Sequence, residues 1–369
     1  MTESPQPTIV ALFVVLAGSA FASSGCKSVE CGDATIERNG VCVPADEVVD
    51  PAICGPFTVL VGGHCVPMFP PTVCDETSTN DQLDDATGVV TCIGTAAGFS
   101  CPSPDSGKMT ICGQLYDLET GAEFKDANAQ CTQCATSTET GVCSIGIRSL
   151  DAVKFALDPT DPGAALASDA VYLDDCGRFK VANITLPTAN PFVALAIDDA
   201  NPANRGPAGT TNAIGIATAK AAGVALKNFE GFVAPSATTT KWAASGGPSI
   251  ASGMYVALFR AMSTGFANQA GVSILRNGQA IANDDHYFQP GLAVRTTVDP
   301  AASLTGANGT VLVTSSDSAG VQLGKPYGAA PGPLPAACAW EGHAGVVLAG
   351  LLFVQIFRPI DATGQTCPL

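Results

Sequence analysis

The chain has 369 residues, enough for two ordinary domains, and 46% of them are hydrophobic, which excludes a disordered chain. Its 39 Gly and 26 Pro disfavour helix interiors, so many short strands joined by turns are expected. The formal net charge of −16 excludes a nucleic-acid partner, because such a surface repels a phosphate backbone.

An export signal is predicted at the N-terminus. Residues 8–22 form an apolar run that is too short to span a bilayer comfortably. The small residues that follow it, directly before Cys26, resemble the lipobox of bacterial lipoproteins. This resemblance implies that residues 1–25 are removed and that Cys26 carries a lipid anchor. Ser23 stands where the lipobox usually has Leu, and the first eight residues carry no Lys or Arg. An ordinary secreted protein, cut a few residues earlier, is therefore the alternative.

The 15 cysteines predict a disulfide-bonded protein of an oxidising compartment. Only one CxxC pair occurs, at Cys131 and Cys134, and the three histidines lie far apart, so zinc lacks the paired ligand clusters that it needs. Because the number is odd, one cysteine is left over, and Cys26 is the candidate. The disulfide candidates are Cys31, Cys42, Cys54, Cys65, Cys74, Cys92, Cys112, Cys176, Cys338 and Cys367.

Residues 26–108 form a cysteine-rich segment that contains an internal repeat. Residues 31–44 (CGDATIERNGVCVP) and 54–67 (CGPFTVLVGGHCVP) share their cysteines, glycines and closing Val-Pro. The Asn-Gly and Gly-Gly pairs favour tight hairpins, which would bring the two cysteines of each copy together. A third, diverged copy is expected at residues 74–92. We interpret the segment as a stalk or, alternatively, as a small binding module.

Residues 109–250 are predicted to form a first β-sandwich domain, with a short helix over residues 236–245. A strand followed by an Asp-x-x-Thr-Gly turn, and a later Asp-Cys-Gly-x-Phe strand start, resemble the carboxypeptidase-regulatory-like (transthyretin-like) family. The matching residues are Asp117, Thr120, Gly121, Asp175, Gly177 and Phe179. This resemblance implies an Ig-like β-sandwich and a non-catalytic module of surface or secreted proteins.

Residues 251–369 are predicted to form a second β-sandwich domain, so the fold class is mainly β. Asn277-Gly278 predicts a hairpin, and residues 345–357 predict a buried strand pair bent at Gly350. The TGANG motif at residues 305–309, together with the CGxxTxxxxGxCVP repeats, makes the chain resemble cysteine-rich surface lipoproteins of myxobacteria and related δ-proteobacteria. That resemblance brings no assigned activity with it.

No catalytic motif is found, and the chain is not predicted to be an enzyme. Asp198, Asp199 and Asn201 follow a predicted strand and are weak candidates for calcium ligands; no other cofactor is expected. The aromatic residues Trp242, Trp340 and Tyr287 are assigned to the core rather than to a sugar-stacking surface.

The predicted function is that of an exported lipoprotein at the outer membrane or cell surface. It would have a non-catalytic structural or adhesive role, a membrane anchor and an unknown protein or glycan ligand. The alternatives are a glycan-binding β-sandwich module and a secreted enzyme-associated domain; without the lipid, the protein would be secreted or periplasmic.

Overall fold

The chain forms two compact units, Met1–Val48 and Val49–Leu369. The computed structural model describes short strands between residues 35 and 90 and then the ranges 99–134, 141–187, 192–200, 209–215, 225–261, 267–281, 283–314, 322–330 and 334–361, with residues 332 and 367. The predicted site residues whose side chains lie outside this description are Cys26, Cys31, Cys42, Cys54, Cys65, Cys74, Cys92 and Asn201.

The repeat copies form the predicted hairpins. The antiparallel pairs are β1 (Thr35–Arg38) with β2 (Val41–Pro44), β3 (Thr58–Val61) with β4 (His64–Pro67), and β5 (Leu83–Asp84) with β6 (Val89–Val90). In both full copies the strands are separated by two residues, the connection length that Asn-Gly and Gly-Gly favour. The shorter third hairpin falls inside the diverged copy.

The rest of the described chain is mostly strand. The first strands are β7 (Lys108–Asp117), β8 (Ile145–Asp151), β9 (Ala170–Leu173), β10 (Arg178–Thr185), β11 (Phe192–Asp199), β12 (Gly209–Gly215) and β13 (Ala225–Val233). They are followed by β14 (Met254–Ala261), β15 (Ala267–Asn268), β16 (Ile274–Arg276), β17 (Gln279–Ala280), β18 (Asp285–Phe288), β19 (Val298–Asp299) and β20 (Thr310–Val313). The last are β21 (Gln322–Ala329), β22 (Cys338–Trp340), β23 (His343–Val347), β24 (Leu351–Phe357) and β25 (Pro359–Asp361). The mainly β prediction is confirmed.

The described residues include two α-helices, α1 (Ala152–Leu157) and α2 (Ser236–Ala244). The predicted helix at residues 236–245 is thus confirmed as α2. Short 3₁₀ turns occur at Val142–Ser144, Pro162–Ala164 and Ile250–Ser252. Within the described ranges, no helix has the length and apolarity that a membrane span requires.

A nine-stranded sheet forms the centre of the second unit. Its strand order is β19-β18-β20-β14-β24-β12-β11-β8, with β15 paired to β14. Strand β24 lies between β12 and β14 and is parallel to both. The central sheet therefore takes strands from both predicted sandwich segments, 109–250 and 251–369, because the C-terminal β24 inserts between them.

Both faces of the central sheet are buried, as β14 shows. Its side chains alternate between the faces, and all of those from Met254 to Phe259 are fully buried. Met254, Val256 and Leu258 belong to a core shared with Phe232 of β13 and with α2. The intervening side chains belong to a core shared with β16, β21 and β23. The central sheet thus packs between two four-stranded sheets, ordered β13-β7-β10-β9 and β17-β16-β21-β23.

The apolar run at residues 345–357 contains two strands that break at Gly350, as predicted, but they do not pair with each other. Strand β23 joins the outer sheet at β21, whereas β24 joins the central sheet. The Asn277-Gly278 prediction is confirmed: β16 and β17 pair around it, and both turn residues have positive φ, 54° and 71°.

A substitution at Gly113 tests how closely β7 approaches its neighbour β13. A Cβ atom at this position would lie 1.9 Å from the backbone oxygen of Phe229 in β13. We expect Gly113→Ala to lower the free energy of unfolding by about 2–3 kcal/mol, because backbone must shift to admit the methyl group. Gly328→Ala is the matched control, since nothing lies within 4 Å of its Cβ position. Urea denaturation under non-reducing conditions measures both, and equal effects would contradict the close approach.

Candidate functional site

The Asp-x-x-Thr-Gly motif forms a tight turn at the end of β7. The Asp117 carboxylate accepts the backbone N–H of Thr120 at 2.7 Å and its hydroxyl at 2.8 Å. Gly121 adopts φ of +74° and donates its N–H to the Asp117 carbonyl at 2.7 Å. The motif residues thus shape the backbone of this turn rather than presenting a reactive group.

Arg295 is fully buried against this turn. Its Nη1 donates to the Leu118 carbonyl at 3.2 Å, and its backbone N–H donates to the Glu119 carbonyl at 2.7 Å. Its Nε donates to the Thr310 hydroxyl at 2.5 Å, and its Nη2 to the Asn308 carbonyl at 3.2 Å. Burial lowers the pKa of the guanidinium well below its ordinary value. Most of the cation is therefore solvated by neutral protein dipoles instead of water.

A buried ion pair lies near Arg295. Arg260 of β14 donates to the Glu230 carboxylate of β13, and both side chains are nearly inaccessible to solvent. The Arg260 guanidinium also lies 5.7 Å from the centroid of the Phe232 ring. The negative charge of Glu230 favours the charged form of Arg295, and Arg260 opposes it. Together these groups form a charged cluster between the central sheet and the outer sheet that contains β13.

Glu119 joins the turn to α2. Its carboxylate accepts the Thr238 hydroxyl and the Lys241 ammonium, each at 2.7 Å. Burial raises the pKa of Glu119, but the hydrogen bonds from Lys241 and Thr238 outweigh it and bring the pKa below 4.5. On the same helix, the Trp242 indole N–H donates to the Arg295 carbonyl. We refer to Glu119, Trp242, Arg295, Arg260 and Glu230 as the buried hub.

The side chains of the TGANG motif hydrogen-bond to the backbone of neighbouring loops. The Thr305 hydroxyl donates to the Gln269 carbonyl at 2.8 Å and accepts the Val272 N–H at 3.0 Å. The Asn308 side-chain amide donates to the Leu292 carbonyl at 3.0 Å. Because Thr305 and Asn308 are both buried, their polar atoms are paired inside the fold and not offered to a ligand.

Four disulfides lie in the described part of the chain. They are Cys101–Cys112, Cys131–Cys176, Cys134–Cys143 and Cys338–Cys367. Cys338 and Cys367, which bracket the C-terminal strands in the sequence, bond to each other. The two CxxC cysteines bond to different partners. The separation of 11 residues between Cys101 and Cys112, which equals the cysteine spacing of the repeat copies, was the signal that could have identified this bridge.

The described residues that were considered for ligand binding lie at the end of β11 or in the core. Asp198 and Asp199 end β11 half-buried, and the Asp198 carboxylate accepts the Asp199 N–H at 2.8 Å. Trp242, Trp340 and Tyr287 are 0%, 3% and 1% exposed, so none of them can stack on a sugar at the surface.

One group of potential metal ligands occurs among the described residues. Oxygen atoms of Asp174 and Asp175 and the sulfur of Cys176 lie within 4.8 Å of one another. Asp174, however, is ion-paired with Arg178 at 2.8 Å, and Cys176 is disulfide-bonded. The cluster therefore serves the internal structure.

A buried His–Glu pair that the sequence did not indicate lies at the start of β23. The His343 Nε2 atom is 3.0 Å from the Glu341 carboxylate, and both side chains are buried. The imidazole packs edge-on against the Phe357 ring, with 4.6 Å between the ring centroids. A His and Glu two residues apart carry no sequence signal for this contact, and their burial keeps a substrate away from them.

No protein-family model matches the chain. No curated protein matches it either. Among solved structures, the shaft pilin SpaA of Lactobacillus rhamnosus GG aligns over 68% of this chain and 98% of the pilin, with 11% identity and a TM-score of 0.18. A mutant of the same pilin aligns with the same coverage, identity and TM-score. A TM-score this low defines neither a shared fold nor a shared function.

Arg295→Met tests the buried hub. We expect a loss of about 3–5 kcal/mol in the free energy of unfolding, because the Leu118, Asn308 and Thr310 acceptors lose their donor inside the fold. The exposed Arg148 gives a charge-matched control, and Arg148→Met should change stability by about 0.5 kcal/mol or less. Urea denaturation of both variants makes the comparison, and a mild effect of Arg295→Met would refute a stabilising role for the buried cation.

The lowered pKa of Glu119 predicts that the free energy of unfolding depends on pH. Because its pKa is lower in the folded chain than the ordinary 4.5, its stabilisation is complete above pH 4.5 and is lost as the pH falls through the folded value. Glu119→Gln should therefore cost about 1 kcal/mol at pH 7, and the difference from wild type should shrink below pH 4.5. Thermal unfolding between pH 7 and pH 3 measures it, with the more exposed Glu123→Gln as control. A difference that is constant with pH would contradict the assignment.

Proposed function

We propose that this protein is an exported lipoprotein of the outer membrane or cell surface with a non-catalytic structural or adhesive role. Disulfide bonding is the observation that carries this proposal: all eight described cysteines are paired. Disulfides at this density persist in oxidising compartments outside the cytosol. They also clamp chain segments against extracellular stress.

The cysteine arithmetic supports a lipid on Cys26. Of 15 cysteines, eight are paired within the described residues, which leaves seven, an odd number. Six of these can form three bridges, and the seventh matches the lipobox-like position. The resemblance to cysteine-rich surface lipoproteins of myxobacteria supports the same anchor. Two or more acyl chains would then hold the chain stably at a membrane.

The use of charged and aromatic side chains supports a structural or adhesive role over a catalytic one. The hub residues Trp242, Arg295, Arg260 and Glu230 are buried, and so is the Glu341–His343 pair. Their polar groups contact partners inside the fold. Catalysis requires such groups at an accessible cleft. The carboxypeptidase-regulatory-like resemblance supports the same role, with an outer surface that contacts an unidentified protein or glycan ligand.

Cys26→Ser tests the anchor. In the producing cell, the wild-type protein should incorporate labelled fatty acid and sediment with membranes, whereas Cys26→Ser should do neither, because serine offers no thiol for lipid attachment. Ser23→Ala is the control, since it keeps a small residue before the lipidated cysteine and should sediment like wild type. Unlabelled wild-type protein in the soluble fraction would identify an ordinary secreted protein.

A further inference from the structure

The Cys131–Cys176 bridge crosses a short two-stranded ribbon. Gln133 bridges Asp174 in antiparallel register, and the Asp175 N–H donates to the Thr132 carbonyl at 3.1 Å. This register places Cys131 directly opposite Cys176, with 4.8 Å between their Cα atoms. The disulfide therefore joins facing positions in the ribbon that ties the excursion after β7 to the turn between β9 and β10.

A carboxylate clamp fixes the backbone on both sides of Cys131. The Asp175 carboxylate accepts the Gln130 N–H at 3.1 Å and the Thr132 N–H at 2.7 Å. The hydrogen bonds from these N–H groups lower the pKa of Asp175, so the clamp is charged at neutral pH. Between the two anchored residues, Cys131 adopts φ of 55°. This left-handed conformation costs a residue with a Cβ atom about 1–2 kcal/mol.

The other described bridges lack this combination of features. Cys131 is exposed, whereas Cys112 and Cys367 of two other bridges are buried. The fourth bridge joins Cys134 and Cys143, which are both half-buried and have ordinary backbone angles. Exposed or strained disulfides have higher reduction potentials and exchange more readily with thiols. Within the described residues, exposure and a strained backbone thus coincide at a single bridge.

We propose that Cys131–Cys176 is a thiol-exchange site, at which the protein reacts with an external thiol while its other described bridges persist. The external thiolate attacks the Sγ of the exposed Cys131, the S–S bond breaks, and its electron pair leaves on the sulfur of Cys176. Cys176 then takes up a proton from the solvent. The product is a mixed disulfide at Cys131.

A second external thiol completes the reduction. It attacks the external sulfur of the mixed disulfide and releases the Cys131 thiolate, which takes up a proton. The two external thiols are thereby oxidised to one disulfide, and the protein disulfide is reduced to two thiols. Opening this bridge removes the covalent link of the ribbon at residues 130–133, while the Cys134–Cys143 bridge keeps the rest of the excursion closed. This site goes beyond the proposed structural role, because it makes one surface segment responsive to thiols.

The order of reduction tests the proposal. The native full-length protein is incubated with dithiothreitol at neutral pH, quenched with N-ethylmaleimide and mapped by peptide mass spectrometry. We expect Cys131 and Cys176 to be labelled about tenfold faster than the cysteines of the other three described bridges. Equal labelling rates, or earlier opening of another described bridge, would overturn the proposal.

Glutathione distinguishes exchange at this site from general reduction. Wild-type protein should acquire one glutathione, located at Cys131. The double variant Cys131→Ser/Cys176→Ser should acquire none at the same concentration, whereas the matched variant Cys134→Ser/Cys143→Ser should still acquire one. Circular dichroism of each variant establishes that it folds. Uptake by the folded Cys131→Ser/Cys176→Ser variant at the wild-type rate, or glutathione at another cysteine in the wild type, would refute the assignment.

Discussion

The assembly of the second unit depends on the solvation of one buried cation, Arg295. Moving a guanidinium out of water costs several kcal/mol unless protein groups replace the lost hydration. Here the replacing groups come from the turn after β7, from the loop before β20 and from the start of β20 itself. The Arg295 carbonyl in turn receives the Trp242 indole of α2. No single element supplies enough hydrogen-bond acceptors. The cation is therefore tolerated only when α2, the central sheet and the outer sheet that contains β7 are all in place.

Two sequence motifs acquire a physical role from this arrangement. Asp117 and Gly121 shape the turn that offers the Leu118 carbonyl to Arg295, and Asn308 of the TGANG motif offers its own carbonyl to the same guanidinium. The motifs come from segments that are about 190 residues apart by their numbering, yet they meet at one side chain. Their residues are needed for backbone geometry and for buried hydrogen bonds.

The pairing of polar groups inside the fold bears on function. Several ionisable side chains of the core are engaged in pairs, such as Glu230 with Arg260 and Glu341 with His343. Disulfides link the excursion after β7 to the turn between β9 and β10, and Cys338 of β22 to Cys367. The described part of the protein therefore combines an interior of paired polar groups with four disulfides.

The sequence by itself determined the local structure: the hairpins around Asn-Gly and Gly-Gly, the mainly β content, the short helix α2 and the presence of disulfides. These features depend on turn residues, on alternation and on cysteine number, all of which act over a few residues. Only the tertiary structure decided that β24 inserts between β12 and β14, that β23 and β24 part into different sheets, and that the CxxC cysteines have separate partners. The position of Arg295 at the centre of the hub was equally invisible in the sequence. Strand order and contacts between distant residues follow from which edges and faces remain unpaired once the local elements exist, and no spacing along the chain records that outcome.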